Sequence, residues 1–263
     1  MIHLKDQLGQ ELSLKDVPKR IVSLVPSQTE LLVYLGLREE LVGVTKFCVH
    51  PKGLKKEKTV VGGTKSVHYD KIASLQPDII LCNKEENTKE MVLALKEIAP
   101  VHTSDVITLE DHNELIRQYG KLFAKEAAAR QLQDQLQLKI TAFSKEIHSR
   151  PQPRVGYLIW KNPYMAAGNH TFINSILALC GFENGLKQLD GRYPELTLHQ
   201  IQHLDYLLLS SEPFPFKEDD LQELTNQTEV PAVLVDGEYF SWYGSRLLQA
   251  FTYFEKLRKR LEL

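Results

Sequence analysis

The sequence predicts an α/β fold of two lobes, each a mainly parallel sheet with flanking helices, joined by one long rigid backbone helix. Short apolar strands alternate with helical patterns on both sides of the chain's middle, an order typical of parallel sheets. Between them, segment 109–149 has helical apolar spacing, no proline and one glycine, Gly120. The length of 263 residues suits one large or two small domains. We therefore predict an N-terminal lobe over 1–108, a connecting helix over 109–150 and a C-terminal lobe over 151–263.

The connecting helix determines the expected shape. About 40 residues at ~1.5 Å each reach ~60 Å, which exceeds the width of a small domain. A helical hairpin or a coiled-coil dimerisation arm are the alternatives. No turn signal interrupts the segment and heptads are not sustained, so we prefer a strut and expect a monomer. Two lobes on a strut leave a cleft, and such clefts bind small ligands.

The elements of the first lobe follow from local patterns. A polar alternating stretch at 4–12 predicts an edge hairpin. Ser27 and Glu30 have the spacing of a capping box, and Gly36 ends the helix that they begin. The sequence predicts further strands at 20–25, 41–45, 78–81 and 101–103, and helices at 27–35, 70–76 and 87–98.

The second lobe repeats this alternation. Strands are predicted at 154–160, 206–209 and 232–235, and helices at 171–179, 217–225 and 244–261. Segments 70–81 and 199–209 resemble each other, since each joins a short helix to a buried strand through an aspartate. Either any two helix–strand units look alike, or the lobes share one architecture about a pseudo-twofold axis.

Composition excludes several classes of protein. A net charge of −2 gives no field that attracts nucleic acid. The longest apolar runs, of about five to seven residues, are too short to span a membrane. Met1–Lys5 do not resemble a signal peptide. The protein is therefore expected in the cytoplasm if Met1 is the native start, and in the periplasm or at the cell surface if a leader was removed.

Candidate ligand contacts lie in the loops after the strand carboxyl ends. In the first lobe these loops supply Ser27, Gln28, Phe47, Cys48, His50, Gly63 and Thr64. In the second they supply Trp160, Tyr164, Phe214, Phe216, Trp242, Tyr243 and Arg246. Large aromatic side chains in loops expose apolar area unless something covers them. They either pack beneath their own loops or form a stacking surface for a flat or bulky ligand.

Cys48 and His50 form the most specific candidate pair of metal ligands in the sequence. In an extended loop, residues two apart point to the same side. A thiolate and an imidazole are good ligands for zinc, cobalt or iron, and Glu85, Glu86 or His68 are candidates to complete a site. An ordinary loop pair and a nucleophilic cysteine are the alternatives. Cys82 and Cys180 end apolar runs and are expected to be buried.

Arg246 is the last candidate for a ligand contact. Arg246 is expected to bind a ligand carboxylate or phosphate, or to pair with Asp236 or Glu238.

The chain contains no GxGxxG, Walker, HExxH or GxSxG motif. We therefore do not expect an enzyme or a catalytic cofactor.

Five stretches carry a family resemblance: 18–32, 35–36, 42–44, 61–65 and, most specifically, 72–80. Together with the long central helix, they resemble the helical-backbone (class III) substrate-binding proteins of ABC importers, in the cobalamin and ferric-siderophore branch. The resemblance implies a ligand held between the lobes, with limited closure on binding. It also implies that residues at the lobe tips dock on a membrane permease. Asp70 occupies the first of these positions, and His199, which is not reliably anionic, occupies the second.

The same resemblance bears on the ligand. The cobalamin-binding members carry a tryptophan where this chain has Gly63-Thr64-Lys65, and Tyr193 stands where a second tryptophan would be. We therefore predict a binding protein for a metal chelate, cobalamin-like or ferric-siderophore-like, that serves an ABC permease. A cytoplasmic corrinoid or metal sensor of the same fold is the second hypothesis, and a Cys48-dependent enzyme is the third.

Overall fold

The computed structural model describes residues 1–261, which form two compact units. Unit 1 contains Met1–Val106, Glu110–Gln135 and Tyr243–Arg246. Unit 2 contains Ile107–Leu109, Leu136–Trp242 and the final stretch 247–261. Both units are therefore built from separate stretches of chain, whereas the sequence predicted continuous lobes.

Unit 1 contains a wholly parallel five-stranded sheet and a separate antiparallel hairpin. The hairpin pairs β1 (Ile2–Lys5) with β2 (Glu11–Leu14), close to the predicted position. The sheet strands are β3 (Ile21–Ser23), β4 (Leu41–Val44), β5 (Thr59–Val60), β6 (Ile79–Asn83) and β7 (Val101–Ser104). Their order is β5-β4-β3-β6-β7. Every residue of β3, β6 and β7 is buried, as expected for strands covered on both faces.

Three helices of unit 1 lie close to their predicted positions, whereas the short helix at Leu54–Glu57 was not predicted. The helices of this unit are α1 (Pro26–Tyr34), α2 (Leu54–Glu57), α3 (Tyr69–Ser74), α4 (Lys89–Lys96) and α5 (Leu109–Leu122). Helix α1 begins at Pro26, and its N-cap residue Val25 makes no side-chain cap. The predicted capping box of Ser27 and Glu30 is therefore wrong. Ser27 lies buried within the helix, and Arg246 binds the Glu30 carboxylate.

The central segment is two helices rather than one. Helix α5 ends at Leu122, and α6 runs from Glu126 to Ile147. Between them, Ala124 adopts the left-handed conformation with φ 52°, which ends a helix as a C-cap residue does. A Cβ on Gly120 would lie 2.8 Å from the Cβ of Ala129, so glycine allows the start of α6 to approach α5 closely. The prediction of one uninterrupted helix over 109–149 is therefore wrong.

Unit 2 contains a second five-stranded sheet. Its strands are β8 (Arg154–Trp160), β9 (Met165–Ala166), β10 (Glu183–Asn184), β11 (Tyr206–Ser210) and β12 (Ala232–Val235). The parallel order is β10-β8-β11-β12, and β9 pairs antiparallel with β8. In the sheet of unit 2, strand β11 lies between β8 and β12. In the sheet of unit 1, strand β6 likewise lies between β3 and β7. The similarity of 70–81 to 199–209 thus corresponds to equivalent places in the two sheets.

The helices of unit 2 are short except for the last. They are α7 (Phe172–Leu179), α8 (Glu218–Thr228), α9 (Glu238–Ser241) and α10 (Leu247–Arg260), with a 3₁₀ turn at Leu198–Gln200. Helix α10 begins three residues later than predicted, after the stretch that belongs to unit 1. Over residues 1–261, no helix combines the length and apolar character that crossing a membrane requires.

Candidate ligand-binding surfaces

Phe47 presents the most exposed aromatic ring in the loops of unit 1. It lies in the turn after β4, and 49% of its surface is accessible. The Lys46 Nζ lies 5.0 Å from its ring centroid, a cation–π distance. A Cβ on Gly63 would lie 3.3 Å from Phe47 Cε2, so the glycine leaves room for the ring. Phe47 and Gly63 thus lie close together, and Thr64 follows directly, half-buried. All three remain predicted ligand contacts.

Gln28 is fully buried and links several elements of unit 1. Its Nε2 donates to Ser104 Oγ at 2.6 Å and to the Tyr243 hydroxyl at 3.1 Å. Its Oε1 accepts from the Tyr119 hydroxyl at 2.6 Å. These bonds join α1, β7, α5 and the returning stretch 243–246. The prediction that Gln28 contacts ligand is therefore wrong, because its polar atoms face the interior; Ser27 is 5% exposed beside it.

Tyr243 and Arg246 also belong to the interior of unit 1. Both residues are about 6% exposed. Burial raises the pKa of the Tyr243 hydroxyl well above its usual range. Arg246 donates from Nε and Nη2 to the two carboxylate oxygens of Glu30, at 2.9 and 2.8 Å. Arg246 thus forms an ion pair with α1 that the sequence did not predict.

Cys48 and His50 do not form a metal centre. Cys48 is 1% exposed, and its Sγ lies 3.2 Å from Thr29 Oγ1 and 3.4 Å from Thr45 Oγ1. Burial raises the pKa of the Cys48 thiol, which disfavours the thiolate that metals and electrophiles need. Within residues 1–261, no three His, Cys, Asp or Glu side chains form a group able to hold a metal ion. Cys82 and Cys180 are buried, as predicted.

The aromatic side chains of unit 2 form a row that reaches the surface at Trp160. This residue ends β8 and is 40% exposed. Its ring centroid lies 5.7 Å from that of Phe214, which lies 4.8 Å from Phe216, and both contacts are edge-on. Phe216 is 5% exposed and packs in the core of the unit. Phe214 and Phe216 therefore support the exposed ring of Trp160 from below.

Trp242 differs from Trp160 in its surroundings. It is 8% exposed, and its indole Nε1 donates to Glu212 Oε1 at 3.0 Å. The same oxygen accepts from Ser241 Oγ at 2.6 Å. Trp242 is therefore buried and bonded to Glu212 in the loop after β11, which favours the packing alternative over an exposed stacking surface.

The remaining predicted residues of unit 2 are half-buried or exposed. Tyr164 and Tyr193 are half-buried. Near Tyr164, Lys161 Nζ donates to Asp220 Oδ1 and Glu223 Oε2, both at 2.7 Å. His199 is exposed in the 3₁₀ turn, and in unit 1 Asp70 is exposed in the first turn of α3. Both positions remain predicted docking residues.

Two charged side chains in the loops of unit 1, those of Lys46 and Glu86, were not predicted as ligand contacts. Lys46 was noted only as part of a loop, although a lysine beside an aromatic residue after a strand is a usable signal. Glu86 was considered only as a completing metal ligand. Glu86 is half-buried, and burial raises the pKa of its carboxyl although Lys65 and Thr64 act to lower it. Glu86 therefore lies among the loops that carry the predicted contacts of unit 1.

Each of the two α/β units has a sheet with a parallel core and exposes an aromatic side chain, Phe47 or Trp160, at or after the end of a strand. The sequence profile of the periplasmic binding protein family matches residues 21–233. The chain belongs to this family, as its sequence predicted.

Individual relatives agree with this assignment. A vitamin B12-binding protein of Pectobacterium carotovorum is 26% identical over 238 residues, which are 89% of this chain and 86% of that protein. The periplasmic vitamin B12-binding protein of Vibrio cholerae has the same fold, with a TM-score of 0.77, 20% identity and coverage of 94% and 98%. A protein of an ABC-type Fe³⁺-hydroxamate transport system from Saccharomonospora viridis has a TM-score of 0.74, 17% identity and coverage of 97% and 98%.

Proposed function

We propose that this protein is the substrate-binding protein of an ABC importer and binds a metal chelate, either cobalamin-like or ferric-siderophore-like. The match of residues 21–233 to the periplasmic binding protein family carries the proposal. The relatives named above bind vitamin B12 or belong to Fe³⁺-hydroxamate transport, which narrows the class of ligand. The protein would act outside the cytoplasm and deliver its ligand to a permease, with Asp70 and His199 as docking residues.

The exposed rings support a bulky, partly apolar ligand. Phe47 lies in the turn after β4 and Trp160 is the last residue of β8, and each keeps more than a third of its surface accessible. Covering such a ring removes apolar surface from water and favours binding. We assign the ligand contacts to Phe47, Gly63 and Thr64 in unit 1, and to Trp160, Tyr164, Tyr193 and Phe214 in unit 2.

A ligand screen tests the proposal. Cyanocobalamin, ferric ferrioxamine E and hemin are titrated separately into the purified protein, and binding is measured by calorimetry and by thermal unfolding. A ligand that binds only the native state raises the unfolding temperature in proportion to its affinity and concentration. We expect one chelate to bind in the micromolar range or tighter, at about −8 kcal/mol or below. The proposal is overturned if neither cyanocobalamin nor ferric ferrioxamine E binds or raises the unfolding temperature, including the case in which hemin alone binds.

A further inference from the structure

Three successive residues around the end of β8 contact one segment of unit 2, the loop before α8 and α8 itself. The Ile159 carbonyl accepts from the backbone N–H of Phe214 at 3.3 Å. The Trp160 ring lies edge-on to Phe214, with the ring centroids 5.7 Å apart. The Lys161 side chain reaches α8 directly. The exposed tryptophan is thus flanked by a backbone hydrogen bond on one side and by ion pairs on the other.

The Lys161 ammonium is bound by two carboxylates of α8. Its Nζ donates to Asp220 Oδ1 and Glu223 Oε2, both at 2.7 Å. The Lys161 and Asp220 side chains are only 15% and 16% exposed, so water and salt screen this pair less than an exposed one. Asp220 Oδ2 also accepts from the backbone N–H of Lys217, the residue before α8, at 2.9 Å. One carboxylate therefore joins the residue after Trp160 to the start of α8.

Helix α8 and strand β9 hold the backbone around Trp160 from two directions. Leu224 of α8 is fully buried in the core of unit 2, where Phe216 also packs. Trp160 itself pairs with Met165 of β9 in the sheet. A side chain on such a fixed backbone is positioned more precisely than one on a free loop. The Trp160 ring is therefore exposed on a backbone that packing holds in place.

Lys161 is poorly placed to bind a ligand itself. Two of the three donors of its ammonium group are used by Asp220 and Glu223. The two carboxylates also offset its positive charge, so little attraction is left for an anionic ligand. An effect of Lys161 on ligand binding would therefore pass through its neighbour Trp160.

We propose that Lys161 is a positioning residue for ligand binding, which orders the Trp160 ring through its ion pairs with Asp220 and Glu223 before the ligand arrives. This inference rests on the proposed function, in which Trp160 contacts the chelate, and deepens it. Ordering a mobile side chain during binding lowers affinity, so a ring that is already ordered binds more tightly.

Time-resolved fluorescence anisotropy tests the ordering of the ring without ligand. The chain contains two tryptophans, so Trp242→Phe leaves Trp160 as the only one. In that background, Lys161→Met should lower the residual anisotropy of Trp160. Lys161→Arg should restore it, because a guanidinium can also bind both carboxylates. Lys187→Met is the control, since it removes a lysine from an exposed ion pair with Glu183 in the same unit. Thermal unfolding confirms that each variant folds.

A double-mutant cycle tests the effect on binding. Cyanocobalamin and ferric ferrioxamine E are titrated into wild type, Lys161→Met, Trp160→Ala and the double variant. Lys161→Met should weaken binding about three- to tenfold, the effect of ordering one side chain on binding. If Lys161 acts through Trp160, its substitution should have little further effect once the ring is absent.

The outcomes separate this inference from the proposed function. Unchanged anisotropy or unchanged affinity in Lys161→Met, or an equal change in Lys187→Met, overturns the inference alone. A loss of affinity that persists in full in the Trp160→Ala background also overturns it, and would instead assign Lys161 a direct contact with the ligand. If wild type binds neither chelate, the proposed function fails and the inference fails with it.

Discussion

Arg246 and Glu30 form a two-point ion pair in unit 1, although 216 positions separate them in the chain. Both bonds are shorter than 3.0 Å, and the side chains are only 7% and 16% exposed. Together with the bond from Gln28 to Tyr243, this pair fixes the stretch Tyr243–Arg246 to helix α1. The stretch therefore belongs to the packing of unit 1 rather than to a ligand-binding loop of unit 2.

The first prediction concerns the stability of this pair. Removing one partner of a buried ion pair leaves an uncompensated charge, so Arg246→Met should lower the free energy of unfolding by about 3 kcal/mol in urea titrations. The double variant Glu30→Met/Arg246→Met should recover much of this loss. Arg117→Met is the control, because its partner Glu114 forms an exposed pair worth at most about 1 kcal/mol. Equal losses in Arg246→Met and Arg117→Met would contradict the prediction.

The second prediction separates the two tryptophans. A chelate that covers Trp160 should quench its fluorescence, and Trp160→Ala should weaken binding by about 1–3 kcal/mol, as loss of an anchoring aromatic does. Trp242→Phe is the control. It removes the buried indole that donates to Glu212, so the quenching should persist in this variant. Quenching that disappears in Trp242→Phe and persists in Trp160→Ala would show that the assignment is reversed.

The strands of both sheets were predictable because the sequence pattern that indicates a strand is local. Mostly buried runs such as Ile21–Ser23 and Tyr206–Ser210 consist mainly of apolar residues, and each forms a parallel strand. Exposed Phe47 and Trp160 were also found in the predicted loops, since those loops follow directly from the strand ends. The strands and the loops that follow them depend on residues that are close together in the sequence, so the sequence pattern alone predicts them.

The sequence-based predictions were wrong where contacts between residues far apart in the chain determine the structure. The break at Ala124 carries no proline or turn motif, and it depends on the contact between Gly120 and Ala129. The two tryptophans are alike in sequence, but a carboxylate 30 positions before Trp242 binds its indole and buries it. Gln28 likewise finds its partners in Tyr119 and Tyr243, far along the chain. Spacing alone does not reveal such partners.

The third prediction concerns the reactivity of Cys48. Its thiol is buried between Thr29 and Thr45 and has a raised pKa, so little thiolate forms near neutral pH. Iodoacetamide at pH 7.5 should label Cys48 at least about tenfold more slowly in the native protein than in urea, as read by mass spectrometry of its peptide. Cys180 provides an internal comparison, because burial also raises its pKa. If Cys48 reacts rapidly while Cys180 does not, the prediction is wrong and Cys48 is a nucleophilic cysteine.

The last prediction concerns acid stability and His112. Burial lowers the pKa of this histidine to about 4, and its Nε2 lies 3.2 Å from the Gly244 carbonyl. In the unfolded chain the pKa returns to ~6.5, so the unfolded state binds the proton more readily between those values. Stability is therefore complete above pH ~6.5 and should fall by about 3 kcal/mol as the pH drops to about 4.

Urea unfolding of wild type and His112→Gln at pH 7.5, 6, 5 and 4 isolates this contribution. Other groups, including the buried His102 with its own lowered pKa, titrate in both proteins and cancel in the difference. Wild type should lose more stability than His112→Gln over this range, because only wild type must keep a histidine neutral at position 112. His148→Gln removes an exposed histidine and should follow wild type. Parallel pH profiles for wild type and His112→Gln would mean that His112 is protonated as easily in the folded protein as in the unfolded chain.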